Sequence, residues 1–311
     1  MRRQVARSIS ILLTVLCLST CACTWLSHLT NFGLQRELEE RSKQGLAAAA
    51  LYYDTIGVRF FDGRKIEVKV ACCKVSETGV IARNRIVLVD APEDTLRAVA
   101  SGFYGGPVVV MDMHGAVVER SELEVHADVV SLSPDEKTFA FVGAPRGGPF
   151  NDWGVFVAGF HGLTARKAQN APVPAPGHPT ASALDWSPDG RNLLLSSLGD
   201  IEILNVDTGQ SQKIADGSYA RWSPSGDWVS YVTTQWRAAL LNLRTHETKI
   251  IDPSAKMAWE MEWSPDGKFL LLAETGDTYF GFEWVYRISD GAYCPLHDLG
   301  GVPRPNWITL N

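Results

Sequence analysis

What the chain lacks narrows its chemistry before any motif is found. It holds no G-x-S-x-G elbow, so the nucleophile that an α/β-hydrolase domain would present is missing and a prolyl-peptidase-like serine hydrolase is disfavoured. Its histidines (His28, His114, His126, His161, His178, His246 and His297) show neither H-x-H nor H-E-x-x-H spacing, which leaves no zinc motif; no metal or cofactor is expected. Basic charge is scarce. The formal net charge is −6, and because Arg2, Arg3 and Arg7 stand before the first apolar run, the remainder is more acidic still. A nucleic-acid partner needs a clustered basic face, and none is written here. Cysteine is thin where it would matter: Cys17, Cys21 and Cys23 lie in the apolar leader, leaving Cys72, Cys73 and Cys294 for the rest.

What is present is the composition of a globular chain, 45% hydrophobic and 21% charged, with 10 Trp to serve as half-buried anchors. Residues 8–29 carry no Asp, Glu, Lys or Arg and follow three arginines. That is the pattern of a signal or membrane segment long enough for one crossing of a ~30 Å hydrocarbon layer, with the following chain outside. Three fates fit it: a retained single-pass transmembrane anchor, a signal peptide cut after Thr20-Cys21-Ala22, or a lipoprotein acylated on Cys21, since Leu18-Ser19-Thr20-Cys21 resembles a bacterial lipobox. After it, an Asn31 cap, a Glu37/Arg41 pair and an Ala run read as a short helical stalk. The domain expectation is therefore 1–30 leader or anchor, 31–53 helical stalk and 54–311 folded domain.

One turn recurs four times: Ser133-Pro134-Asp135-Glu136, Ser187-Pro188-Asp189-Gly190, Ser223-Pro224-Ser225-Gly226 and Ser264-Pro265-Asp266-Gly267, three copies preceded by Trp186, Trp222 and Trp263. Pro presets the first corner, Asp bonds back to the backbone and Gly takes the positive φ that closes the hairpin. Each copy runs into an apolar strand such as NLLLSS. A second turn follows each of these and two more instances lie upstream, giving centres at residues 63, 115, 162, 209, 246 and 291, spaced 37 to 52 residues apart. Those are the lengths of four-stranded propeller blades, which cannot cover both faces alone and must stack in a ring. The expected fold class is thus all-β, a six-bladed β-propeller. The tail VPRPNWITL looks like the strand before an SPDG turn and is expected to close the ring by joining the first blade.

The W-SPDG turn together with the D-x-x-T-G hairpin resembles the WD40-like repeat of TolB-type periplasmic β-propellers, over roughly residues 105–295. The resemblance implies architecture and an extracytoplasmic setting, and it carries no Tol-system role, because an N-terminal α/β domain is not evident.

Asp135, Asp189 and Asp266 are read as turn formers rather than catalytic acids. The boxes differ from a sialidase S-x-D-x-G-x-x-W box, because Gly190 comes one residue early and the Trp is missing. Ligand contacts are expected on the rim opposite the SPDG turns, where Arg146, Trp236, Arg237, Tyr279 and Phe280 combine aromatics with cations. A disulfide between Cys73 and Cys294, clasping the first and last blades, is a further candidate. No catalytic residue is assigned. The function expected is a non-catalytic interaction module of the bacterial cell envelope, membrane-attached through its N-terminal segment, whose partner is an envelope protein, a peptide or a glycan. The alternative is a propeller enzyme, a hydrolase or lyase on glycan or ester substrates, with carboxylates at the central channel.

Overall fold

A computed structural model describes residues 33–52, 55–69, 80–82, 84–90, 104–146, 152–170, 181–251, 257–275, 282–296 and 306–310. The apolar segment 8–29, together with Cys73, Tyr279 and Phe280, lies outside the described residues; among those residues, no helix is long and apolar enough to cross a membrane.

Residues 33–43 form a helix, α1. Strands follow: β1 (Leu46–Tyr52), β2 (Thr55–Phe60), β3 (Lys65–Lys69), β4 (Val80–Ala82), β5 (Arg85–Val89), β6 (Tyr104–Met111), β7 (Val117–Leu132), β8 (Thr138–Pro145), β9 (Gly154–Gly159), β10 (Arg166–Asn170) and β11 (Ala181–Trp186). The second half adds β12 (Asn192–Ser197), β13 (Asp200–Asn205), β14 (Ser211–Trp222), β15 (Trp228–Thr233), β16 (Ala238–Asn242), β17 (Thr248–Ile250), β18 (Met257–Trp263), β19 (Phe269–Thr275), β20 (Phe282–Arg287), β21 (Tyr293–Leu296) and β22 (Asn306–Thr309).

They pair into four antiparallel sheets, β22-β1-β2-β3, β4 through β10 in order, β11 through β17 in order, and β18-β19-β20-β21. The two large sheets each turn on one long strand. β7 pairs with β6 from Val117 to Ala127 and with β8 from Val125 to Leu132. β14 pairs with β13 over Ser211–Asp216 and with β15 over Gly217–Trp222. The inner strands touch one another round a circle: β4 meets β7, β7 meets β11, β11 meets β14, β14 meets β18, β18 meets β22, and β22 returns to β4.

The second strand of each unit is apolar throughout because both its faces are covered. In β12, Leu193 and Leu195 pack with Val142, Trp153 and Val155 on one side, while Leu194 packs with Val229 and Ala239 on the other. Each such leucine removes enough apolar surface from water to contribute about 1.5–3 kcal/mol.

The SPDG turns hold these strands by side-chain bonds. The hydroxyls of Ser133, Ser187 and Ser264 donate to Asp135, Asp189 and Asp266 at 2.6, 2.6 and 2.8 Å, and the same carboxylate oxygens accept the backbone N–H two residues on. Those hydroxyl bonds hold the Asp135 and Asp189 carboxyls below the usual carboxylate range. In the third copy Ser225 replaces the aspartate and meets Ser223 at 3.2 Å. The turns also rest on one another: a side chain at Gly190 would meet the Pro134 ring at 3.8 Å, one at Gly226 the Pro188 ring at 3.8 Å, and one at Gly267 the Pro224 ring at 3.6 Å.

Closure falls to the two ends of the chain. β22 pairs with β1, Leu46 opposite Thr309 and Ala48 opposite Trp307. The side-chain amide of Asn84 donates to the Thr309 carbonyl and accepts the Thr309 N–H, both at 2.8 Å. The Trp307 indole donates to the Glu262 carbonyl at 3.0 Å, as the Trp186 indole donates to the Ser131 carbonyl at 3.3 Å. Trp307 thus makes the contact to the preceding unit that Trp186 makes.

Two expectations need revision. The Ala run expected to be helical is strand: Ala47, Ala48 and Ala49 lie in β1 between β2 and β22, so the folded unit begins at Leu46 rather than 54. Intrinsic helix preference of a few tenths of a kcal/mol per residue loses to two flanking ladders that need a central strand. The helix ahead of it is also packed rather than extended as a stalk. Leu34 and Leu38 are buried with Phe269, Val285 and Trp307, Arg41 reaches Asp266 at 2.7 Å, and Glu37 pairs with Arg287 at 2.9 Å.

Gly45 is the tightest point of this closure. It has φ +96°, and a Cβ there would sit 1.8 Å from the Leu310 carbonyl oxygen, whose own N–H donates to the Gly45 carbonyl. Gly45→Ala is expected to lower unfolding stability by at least about 2 kcal/mol, combining left-handed strain with a backbone clash. Urea unfolding checks this, and a variant with the parental midpoint refutes the role given to Gly45.

Candidate functional site

Two features stand out from the framework, one on the axis and one on a rim. On the axis, β11, β14 and β18 bring Asp185, Arg221, Glu260 and Glu262 together. The Arg221 guanidinium meets Glu260 at 3.2 Å and Glu262 at 3.3 Å, with Arg221 and Glu260 almost wholly buried. Asp185 is aimed by its neighbour, accepting the Trp222 backbone N–H at 2.8 Å. Three carboxylates therefore share one buried cation. Burial pushes the Glu262 carboxyl up to about 8, and repulsion from Asp185 and Glu260 adds to that rise while Arg221 opposes it. Burial works against the Arg221 charge, but Glu262, Glu260 and Asp185 together outweigh it and hold Arg221 above its usual value.

The cavity beside this cluster is about 20 Å³, lined by Asp185, Arg221, Glu262, Ser131 and apolar residues including Ile81 and Val130. That is room for one water-sized molecule.

The axial residues escaped the sequence reading although their spacing is regular. Ser131, Asp185, Arg221 and Glu262 each sit two residues before the Ser of an SP turn, with Leu132, Trp186, Trp222 or Trp263 between. The turn aspartates drew attention instead, and they are occupied in holding the turns. A repeat alignment that compared the residue before each tryptophan would have shown polar residues of opposite sign at one inward register.

On the opposite rim from the SPDG turns lie the turns between the second and third strands of each unit. Trp236, between β15 and β16, takes φ +60° with its side chain 39% exposed, and its carbonyl accepts the Ala258 N–H of β18 at 2.8 Å. Leu198, between β12 and β13, takes φ +52° and is 71% exposed. The adjoining Gly199 carbonyl accepts the Gly217 N–H at 2.8 Å. These turns are pinned to the first strand of the next unit, so the exposed side chains ride on fixed backbone.

Of the rim residues picked from sequence, Trp236 and Arg237 share this turn, and the Arg237 N–H donates to Thr233 Oγ1 at 3.2 Å. Arg146 lies just past β8 and is ion-paired with Glu124. Next to it, burial first and then the Arg146 charge lower the pKa of His126. Tyr279 and Phe280 fall outside the described residues. Leu198 was not foreseen, because an apolar residue directly after NLLLSS reads as more core. Cys294 carries a free, buried thiol, its pKa pushed up to about 11 by burial, while Cys73 lies outside the described residues. Among the described residues no cluster of histidine, cysteine or carboxylate ligands forms a metal site.

No known protein-family profile matches the chain. Among solved structures it is similar to TolB from Acinetobacter baumannii, with a TM-score of 0.59 and 17% identity, covering 85% of this chain and 66% of that one. The chain therefore spans slightly less than two thirds of that protein's length. It is also similar to a putative TolB from Agrobacterium tumefaciens, with a TM-score of 0.53, 14% identity, and coverage of 81% and 88%. At these identities the likeness shows the fold, a TolB-like β-propeller.

The axial cluster generates a stability prediction. Arg221→Met leaves Asp185, Glu260 and Glu262 without their shared cation, and is expected to cost about 3–5 kcal/mol at neutral pH. Adding Glu262→Gln in the same chain should restore part of the loss. Denaturant unfolding of the single and double variants checks this, and an Arg221→Met protein as stable as its parent rules out the electrostatic account.

Proposed function

We propose that the chain is a non-catalytic interaction module of the cell envelope, a β-propeller of six four-stranded blades that holds a protein or peptide on the rim bearing Leu198 and Trp236. Counting the two halves of β7 and of β14 separately supports six blades, since the strands then fall into six sets of four. The extracytoplasmic setting is supported by the uncharged segment 8–29 behind three arginines and by the TolB-like repeats. Arg146, Arg237, Tyr279 and Phe280 are the further contacts we assign to this rim.

The observation that carries the reading is the pair of left-handed apolar residues. A non-glycine side chain at positive φ costs roughly 1–2 kcal/mol, and Leu198, 71% exposed, recovers little of it by burial, while Trp236 keeps 39% of its surface exposed. Glycine would serve both turns with less strain, so the side chains are kept for what they present outward. Repetition in adjacent blades makes them one surface rather than two accidents.

The test separates folding from binding. Leu198→Gly and Trp236→Asn put residues suited to left-handed backbone in these turns, and each is expected to leave stability unchanged or raise it by up to about 1 kcal/mol. A photo-crosslinking side chain at position 198 or 236 is expected to yield a discrete adduct with one envelope protein in living cells, and Trp236→Asn should suppress the adduct formed from position 198. Absence of any adduct from both positions sinks the proposal.

A further inference from the structure

Glu262 does two things at once. Its side chain belongs to the axial cluster, and its backbone carbonyl receives the Trp307 indole at the closure of the ring. We propose that the axial cluster is a proton-dependent latch on ring closure: one proton resting among Asp185, Glu260 and Glu262 keeps β18 seated against β22, and its removal at alkaline pH loosens the C-terminal strand.

The groups facing Glu262 are few. Asp185 comes from β11, Arg221 from β14, and Glu260 from β18 itself. β4 and β7 present Ile81 and Val130, and β22 presents Trp307, none of them titratable. With one proton bound, the four groups carry a single excess negative charge around a buried guanidinium. Without it they carry two, around an Arg221 and a Glu260 that are almost wholly buried, where charges interact more strongly than in water. Arg221 already bonds both glutamates, so the added repulsion acts on β18, the strand that holds both, and β18 supplies the carbonyl that Trp307 needs. Glu262 keeps 25% of its side chain exposed, which gives the proton a path to solvent.

The direction of the effect follows from burial. Glu262 has a folded-state pKa of about 8 against an ordinary 4.5, so the folded chain holds this proton where the unfolded chain has released it. Its contribution is fully present below pH 4.5, declines as pH rises toward 8, and is gone above that. The turn residues Asp135 and Asp189 act oppositely, their folded values lying below 3.8, so their contribution is lost only in acid. The two windows do not overlap at neutral to alkaline pH.

Hydrogen exchange on the full-length protein reads the latch directly, because local opening is measured apart from global unfolding. Between pH 6 and pH 9, after correction for intrinsic exchange, protection of residues 306–310 and of 46–49 is expected to fall at least about tenfold, the change of a single pKa unit. Amides of β12 and β15 should hold theirs. Glu262→Gln, which imitates the protonated side chain, should give the pH 6 protection at pH 9. Asp185→Asn removes a repelling charge, so Glu262 gives up its proton at lower pH and the deprotonated cluster carries one excess negative charge instead of two; the midpoint of the transition should move to lower pH and the fall in protection should shrink. Equal protection at both pH values, a uniform loss across all strands, or an unchanged fall in Glu262→Gln overturns the proposal; if that variant does not fold, an Asp185→Asn midpoint identical to the parent's overturns it alone.

Discussion

The pairing of β22 with β1 is the contact on which the remaining architecture rests. It joins residues 46–49 to residues 306–309, almost the full length of the chain apart. Bringing such distant segments together costs about 5 kcal/mol of chain entropy by the logarithmic loop-closure rule. Four backbone pairings alone offset that poorly, since a hydrogen bond nets only about 1 kcal/mol. The structure therefore concentrates specific contacts there: the two-way amide bond of Asn84, the Trp307 indole on Glu262, the Gly45–Leu310 approach and the apolar face of α1 against Phe269 and Trp307. In a stack of repeats each interface is shared by two neighbours, and opening this one exposes two faces at once.

α1 takes its place in that logic. Where every other SP turn covalently links the first two strands of its unit, β22 and β1 have no such connection, and no turn leans on Asp266 from the next unit. Arg41 fills that position, bonding Asp266 and lying 4.9 Å over the Phe269 ring, while Ser42 accepts the Phe61 N–H and donates to the Leu46 carbonyl. A helix substitutes for a missing hairpin, and so an amphipathic segment that reads as a spacer becomes part of the closure.

Much of this was legible in the chain. The six turn centres each join two strands, the SP turns close hairpins into doubly buried strands, and the tail supplies the inner strand of the first unit. These features are written in residues whose local chemistry is nearly sufficient: Pro and Gly for corners, Asp for the turn bond, unbroken Leu and Val for a strand covered on both faces. What sequence did not reveal depends on distant neighbours. Ala47 to Ala49 are helical by preference and extended by context. Leu198 looks like core until the turn around it is seen to face outward. Asp185, Arg221 and Glu262 look like ordinary polar residues beside a motif, and only the circle of inner strands brings them within reach of one another.

The axis and the rim spend stability in different ways, and that difference bears on function. On the axis, buried charge is expensive and is compensated locally by Arg221, so apolar replacement of the whole set would serve stability as well or better. On the rim, Leu198 and Trp236 sit at positive φ, Leu198 71% exposed and Trp236 39% exposed. The axial set ties three blades to the residue that receives Trp307, and the rim pair offers an apolar surface on backbone fixed by Ala258 and Gly217. The β18 strand bears both Glu262 and Ala258, whose N–H donates to the Trp236 carbonyl, so the axial charges and the rim turn meet on one strand.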